Sequence, residues 1–316
     1  MERRVHTPPV EPADDNAIRL AARAFVEELK AGGNGIVTWH DLQAFAFHEK
    51  RIRLIGQTGI IKPRGFEAAL TIMTTYTRNP QARPYADEEG ADGYHRYKWR
   101  GDDADHADNR SLRAAMRDGK PLIWFVGVAS GMYVPVSPVY LIAEERASQQ
   151  FVLAFDGIMR EQWEMADATL MTEADLALRR EYAVVTTRRR LHQPVFRRRV
   201  ISAYRSQCGV CRLRHVELLD AAHIREDSQG GEPVVPNGVA MCALHHRAFD
   251  SNVIGIRPTD YTIETNKSVL LERDGPTLRH ALQEVHGSEL QVPRRRDAQP
   301  NRELLEERYE RFRAAS

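Results

Sequence analysis

The chain has 316 residues and a mass of 36.0 kDa, room for two domains of ordinary size and a smaller unit. Apolar residues make up 42% and charged residues 28%, which excludes a chain that is mainly disordered. Only three cysteines exclude a disulfide scaffold, and a net charge of +1 gives no overall sign of a polyanionic partner.

The opening run Met1 to His6 lacks the apolar centre of a signal peptide, so a cytoplasmic protein with reduced cysteines is expected. Residues 1–15 are rich in proline and acid and read as loose. Asn16 to Lys30 reads as an amphipathic helix with Ile18, Phe25, Val26 and Leu29 on one side and a stop at Gly32-Gly33. Thr38 can cap a second short helix carrying Leu42, Phe45 and Phe47, with Asp41 in the third helical position. These elements define a small helical unit, residues 1–50.

From Arg51 the pattern changes to short strands, RIRLIG, GIIKP and LTIMTTY. Residues 78–93 form a polar loop full of turn formers, followed by Tyr94 to Trp99, whose aromatic and basic residues alternate as in a strand. Asp108 or Asn109 caps a helix ending at Gly119. Pro121 to Ala143 has no charge and is long enough to span a bilayer, but Pro121, Pro135, Pro138 and a turn at Gly131 favour two buried strands. With the strand QQFVLAFD this makes residues 51–157 a strand-rich α+β region. Residues 158–190 read as a helical connector. A last unit, 191–316, closes on a helix whose Leu305, Tyr309 and Phe312 share a face.

The near-zero charge hides a split. Residues 181–316 hold 22 Lys/Arg against 18 Asp/Glu, net +4, and the remainder of the chain is net −3. Three arginine triplets, Arg188–Arg190, Arg197–Arg199 and Arg294–Arg296, lie in the basic part and favour a polyanion there.

All three cysteines fall between Cys208 and Asp250. Cys208-x-x-Cys211 and Cys242-x-x-His245 have the same gap, and three sulfurs with one imidazole make the closed donor set of structural zinc. Between them, Leu218 to Ile224 reads as a strand carrying His223, and Pro236-Asn237-Gly238 as a loop. Val239 to Asp250 reads as a helix start carrying His245, His246 and Asp250.

This segment resembles the HNH endonucleases, whose ββα-metal fold holds a catalytic ion between a hairpin and a helix. The resemblance implies a zinc-stabilised nuclease domain hydrolysing DNA with a divalent ion, Mg2+ or Mn2+. In it His223 is the general base, Asn237 orients His223, and His246 is a metal ligand. Many such proteins carry a metal-binding residue directly before the first histidine; here that position is Ala222. Asp220, two residues earlier on the same strand face, is assigned as the acidic ligand, with Asp250, one turn beyond His246, as its competitor.

Residues 51–157 resemble, more diffusely, the SRA/PUA-like barrels that bind modified bases. The fold expected is therefore α+β and multidomain: a helical unit, a barrel-type reader and a nuclease domain. A flipped base needs aromatic faces and polar edge partners, and Asp92, Tyr94, Tyr97 and Trp99 are the candidates. Tyr97 and Trp99 share a strand face; Tyr94 falls on the other. The function implied is modification-dependent restriction of double-stranded DNA, with a homodimer needed to cut both strands. An HNH enzyme reading unmodified sequence and a non-catalytic zinc-stabilised DNA binder are the competing readings.

Overall fold

A computed structural model of the chain describes residues 12–32, 35–76, 90–168, 172–226 and 229–315. Residues 1–11 of the expected loose start and 78–89 of the expected polar loop lie outside the described residues. The chain divides into two compact units, Met1–Pro194 and Val195–Ser316. The stretches 1–50, 51–157 and 158–190 thus share one unit.

In the first unit α1 (Pro12–Gly32) buries Ile18, Ala22 and Val26, a spacing of four that keeps them on one face. After β1 (Val37–Thr38) comes α2 (Trp39–Leu42), closed by a capping box between Thr38 and Asp41. The helix ends at Leu42, so Phe45 and Phe47 are not on it. Left-handed backbone at His48 and Glu49 (φ 45° and 62°) turns the chain into a hairpin of β2 (Ala46–Phe47) and β3 (Lys50–Arg51).

A seven-stranded sheet follows. It is built from β4 (Ile60–Ile61), β5 (Thr71–Thr74), β6 (His95–Lys98), β7 (Leu122–Ala129), β8 (Met132–Glu145) and β9 (Gln150–Ala154), in the order β4-β5-β7-β8-β9-β6, with β1 also beside β8. Only β5 and β7 run parallel. The first part of β8 pairs with β7 and the last with β9, with a register irregularity in each pairing, so the sheet turns along this one strand. At Gly127 a Cβ would lie 2.4 Å from the Tyr76 nitrogen; only glycine lets β7 pass the end of β5 this closely. The uncharged stretch 121–143 is therefore sheet, and no helix among the described residues is long and apolar enough to cross a membrane.

Helix α3 (Ala107–Arg117) starts earlier than expected, with its cap at His106, two residues before Asp108 and three before Asn109. The His106 ring accepts from the Asp108 backbone N–H. Asn109 is inside the helix and fully buried, accepting from Arg100 N–H (2.9 Å) and donating to the Asp103 carbonyl (2.8 Å). Helices α4 (Gly157–Ala168) and α5 (Glu173–Thr187) occupy the stretch expected as a connector, but they pack on this unit. Trp163 stacks edge-on against Tyr94 at 5.1 Å, and Thr187 donates to the Gly93 carbonyl at 3.1 Å.

Helix α6 (Gln193–Ala203) leads into the second unit. There β10 (Leu219–His223) and β11 (Gly238–Cys242) form an antiparallel hairpin, running from Leu219 opposite Cys242 to His223 opposite Gly238. Helix α7 (Ala243–Asp250) follows directly. Val239 to Cys242, expected to begin the helix, is strand because its backbone pairs with β10 and all its side chains are buried. A second hairpin, β12 (Ile254–Ile256) with β13 (Ile263–Thr265), precedes the short helices α8 (Lys267–Leu271) and α9 (Pro276–Leu278). Helix α10 (Arg302–Ala314), capped by Asn301, buries Leu305 and Phe312. The core joins Phe196 and Val200 of α6 to Leu219, Val239, Met241, Phe249, Ile254 and Ile263.

Candidate active site

Cys208, Cys211, Cys242 and His245 come together as the one cluster of three or more His, Cys or carboxylate donors among the described residues whose donor atoms all lie within 4.8 Å of one another. Cys211 and Cys242 sulfurs are 3.9 Å apart, and His245 Nδ1 lies 3.1 Å from Cys242 Sγ and 3.7 Å from Cys208 Sγ. Tetrahedral zinc with Zn–S near 2.3 Å spaces its sulfurs by about 3.8 Å, so the donor set fits. His245 Nε2 donates to the Ala281 carbonyl at 2.7 Å, a bond that puts the proton on Nε2 and leaves the Nδ1 lone pair facing the sulfurs as a metal ligand. The sulfurs compete for negative charge: neighbouring Cys208 and Cys211 hold the Cys242 thiol far below its usual range, while Cys208 and Cys242 drive Cys211 far above. A central cation removes that competition.

His246, the next residue, faces another way. Its Nδ1 lies 3.4 Å from Asp220 Oδ2 and its Nε2 lies 3.4 Å from Asp250 Oδ2. The hairpin brings Asp220 to α7, and the helical turn brings Asp250. The two carboxylates sit on opposite ring nitrogens, so the three groups do not converge on one point. Either acid–imidazole pair is a donor set of the hard and borderline type that suits a small divalent ion. Hydrogen bonding to Asp220 raises the His246 pKa; burial opposes this and Asp250 adds to it. Burial would raise the Asp220 pKa, but His246, the Ala221 N–H and Arg197 together hold it below the usual range.

His223 ends β10, and its ring stacks on Phe196 of α6, with centroids 4.0 Å apart and planes 21° from parallel. That approach needs Gly238 opposite: a Cβ there would lie 2.5 Å from Val200 Cγ2 and 2.8 Å from the Phe196 ring. Asn237, expected to hydrogen-bond the backbone or ring of His223, meets other backbone with its side chain instead. Its side chain accepts from the Arg225 N–H (2.9 Å) and donates to the Arg225 and Glu232 carbonyls (3.0 and 2.9 Å). Its backbone carbonyl accepts from Ile224 N–H at 3.0 Å. Asn237 therefore fixes the two residues that follow His223.

Arg197 and Arg198, read from the sequence only as members of a charged triplet, and Arg308, which no spacing singled out, lie around this site. Arg197 donates from Nε to Asp220 Oδ1 at 3.1 Å and from Nη2 to the Leu219 carbonyl. Arg198 is buried, with its Nη1 unpartnered among the described residues. Burial first, and Arg197 second, push its pKa down to about 10, against the pull of Asp220. Arg308 of α10 donates to Asn252 Oδ1 at 2.6 Å and to the Phe249 carbonyl, and it lies over the Phe249 ring. It thus places a cation at the C-terminal end of α7.

In the first unit the four base-pocket candidates are not brought together. Asp92 is paired with Arg96 at 2.7 Å, which with the Tyr94 N–H keeps its carboxyl below the usual range despite burial. Tyr94 is fully buried and donates to the Met159 carbonyl at 3.2 Å. Trp99 is also buried, under the Arg113 guanidinium. Tyr97 lies instead edge-on to Trp124 at 6.2 Å. His95 approaches Trp124 at 5.2 Å, and Trp124 lies parallel to Phe155 at 6.2 Å. The signal for His95 was its parity with Tyr97 on one strand; Trp124 of β7 and Phe155, just after β9, carried none.

Residues 208–257 match the HNH endonuclease family. They span the cage, the hairpin and α7, so this segment of the chain matches an HNH endonuclease domain. Two solved structures are similar to it. One is the modification-dependent TagI restriction endonuclease, at 16% identity over 81% of this chain and 85% of that chain, TM-score 0.28. The other is the type IV phosphorothioation-dependent restriction endonuclease ScoMcrA, at 12% identity over 80% of this chain, TM-score 0.25. The chain spans 60% of the second protein's length. No curated protein matches the chain.

Proposed function

We propose that the protein is a metal-dependent restriction endonuclease that hydrolyses double-stranded DNA carrying modified bases. The observation that carries the nuclease chemistry is His246 of α7, set between Asp220 of β10 and Asp250 of α7, with His223 at the end of the strand that carries Asp220. His223 takes a proton from the attacking water as the new P–O bond forms and the P–O bond to the leaving sugar oxygen breaks. Phe196 holds the His223 ring by stacking, and Asn237 fixes the chain beyond it. Asp220, or Asp250 in its place, and His246 would hold the divalent ion, Mg2+ or Mn2+, which supplies positive charge at the leaving oxygen. Cys208, Cys211, Cys242 and His245 would hold zinc, tying α7 to the turn after α6.

The base reader is placed in the first unit, at the aromatic cluster of His95, Tyr97, Trp124 and Phe155, which is as buried as Tyr94 and Trp99 and must open to admit a base. Aromatic faces stack on an extruded base, and imidazole nitrogens can pair with its edge. Two copies act together, one on each strand. Plasmids bearing unmodified, methylated or hydroxymethylated cytosine test this reading. Cutting confined to a modified plasmid is expected. Equal cutting of the unmodified plasmid refutes base reading and leaves an unmodified-site nuclease.

A further inference from the structure

Two carboxylates flank His246, and the structure treats them differently. Both side chains are about half-exposed, and Asp250 contacts His246. Asp220 is fixed. Its Oδ1 accepts from Arg197 Nε at 3.1 Å and from the Ala221 N–H at 2.8 Å, while its Oδ2 is turned to His246 Nδ1 at 3.4 Å. Arg197 also grips the Leu219 carbonyl, so one guanidinium holds both the carboxylate and the strand just before it. Arg197 is itself seated by α6, whose neighbouring Phe196 stacks on His223.

We infer that Arg197 is the positioning residue of the catalytic ion site: it occupies Asp220 Oδ1 and thereby aims Oδ2 at the side of His246 where a divalent cation binds. This rests on the reading of Asp220 and His246 as ligands, and it selects Asp220 over Asp250. A planar fork does this well, because its Nε and Nη2 reach two acceptors in fixed directions. A lysine reaches one. Partners that orient a metal-binding carboxylate typically change metal affinity by about 10- to 100-fold when removed.

The test is Mn2+ binding, read by calorimetry on the full chain with its cage zinc-loaded. All variants are made in a His223→Ala background, so that the readout is independent of cutting. Arg197→Met should weaken Mn2+ binding by about 10-fold or more. Arg197→Lys should fall between it and the parent, and Asp250→Asn should change it least. A thermal melt shows whether each variant is folded; if Arg197→Met is not, Arg197→Lys alone carries the test. Parent-like Mn2+ affinity in a folded Arg197 variant, with Asp220→Ala impaired, overturns the role of Arg197 and leaves the ligand assignment standing. Parent-like affinity in Asp220→Ala overturns the assignment and this inference together. Loss of DNA affinity without loss of Mn2+ affinity in Arg197→Met also overturns it, since the residue then serves the phosphate chain.

Discussion

His245 and His246 are consecutive residues on one helix and belong to sites of opposite design. His245 is almost wholly buried, closes a ring of three sulfurs, and has its outer nitrogen on a backbone carbonyl. His246 is partly exposed and meets only oxygen donors, Asp220 and Asp250. The soft, closed, buried set suits a permanent structural ion; the hard, open set suits an ion that must also meet substrate. A rotation of about 100° per residue lets one helix serve both. The sites should therefore fail differently: damage to the cage should cost the fold of residues 195–316, and damage to the oxygen site should cost activity alone.

The largest effect is expected at the cage. Binding of structural zinc is worth roughly 10 kcal/mol or more in small domains, comparable to the whole stability of a domain of this size. Cys208→Ser, or strong chelation, should abolish the calorimetric transition of the second unit and leave that of the first. His246→Ala should leave both transitions nearly unchanged. A normal melt for Cys208→Ser would erase the distinction. Next is Asn237, a buried side chain with three hydrogen bonds to backbone. Asn237→Ala should destabilise the second unit by about 2–4 kcal/mol in denaturant titrations. Arg308→Met, which uncaps α7, should cost about 2 kcal/mol by the same measurement.

The smallest effect sharpens the contrast between units. In the first, Asp92 and Glu145 both pair with Arg96, and both have pKa values below the ordinary carboxylate range. Groups depressed on folding contribute stability above their unfolded pKa values, near 4, and lose it as pH falls through the folded values. The melting temperature of the first unit should thus drop as pH is lowered below about 4, and Arg96→Met should flatten that dependence.

Much of the nuclease site was legible because its donors are local. Cys-x-x-Cys and Cys-x-x-His fix two ligand pairs on tight turns, and His246 and Asp250 are one helical turn apart. The contacts of Phe196 with His223 and of Arg197 with Asp220 cross more than twenty positions and follow no period. Arg197–Arg199 read as a charged patch, although Arg197 is bonded to Asp220 and Arg198 is buried. Strand β11 was read as helix because a short apolar run beside a helix carries no distinguishing period. In the first unit the curved sheet was foreseen as strands. The aromatics were not sorted, since buried core and base pocket demand the same residue types.

The central claim is that the second unit is a nuclease whose base is His223 and whose chemistry needs a divalent ion. Cleavage of a susceptible plasmid, titrated with Mg2+ or Mn2+ after chelation, tests it most directly with wild type beside His223→Ala. The account predicts no cutting by either without the ion and full recovery of the wild type with it. His223→Ala should stay at least about 100-fold slower at every concentration while binding DNA normally. Cutting in the presence of chelator, or by His223→Ala at the wild-type rate, would contradict it.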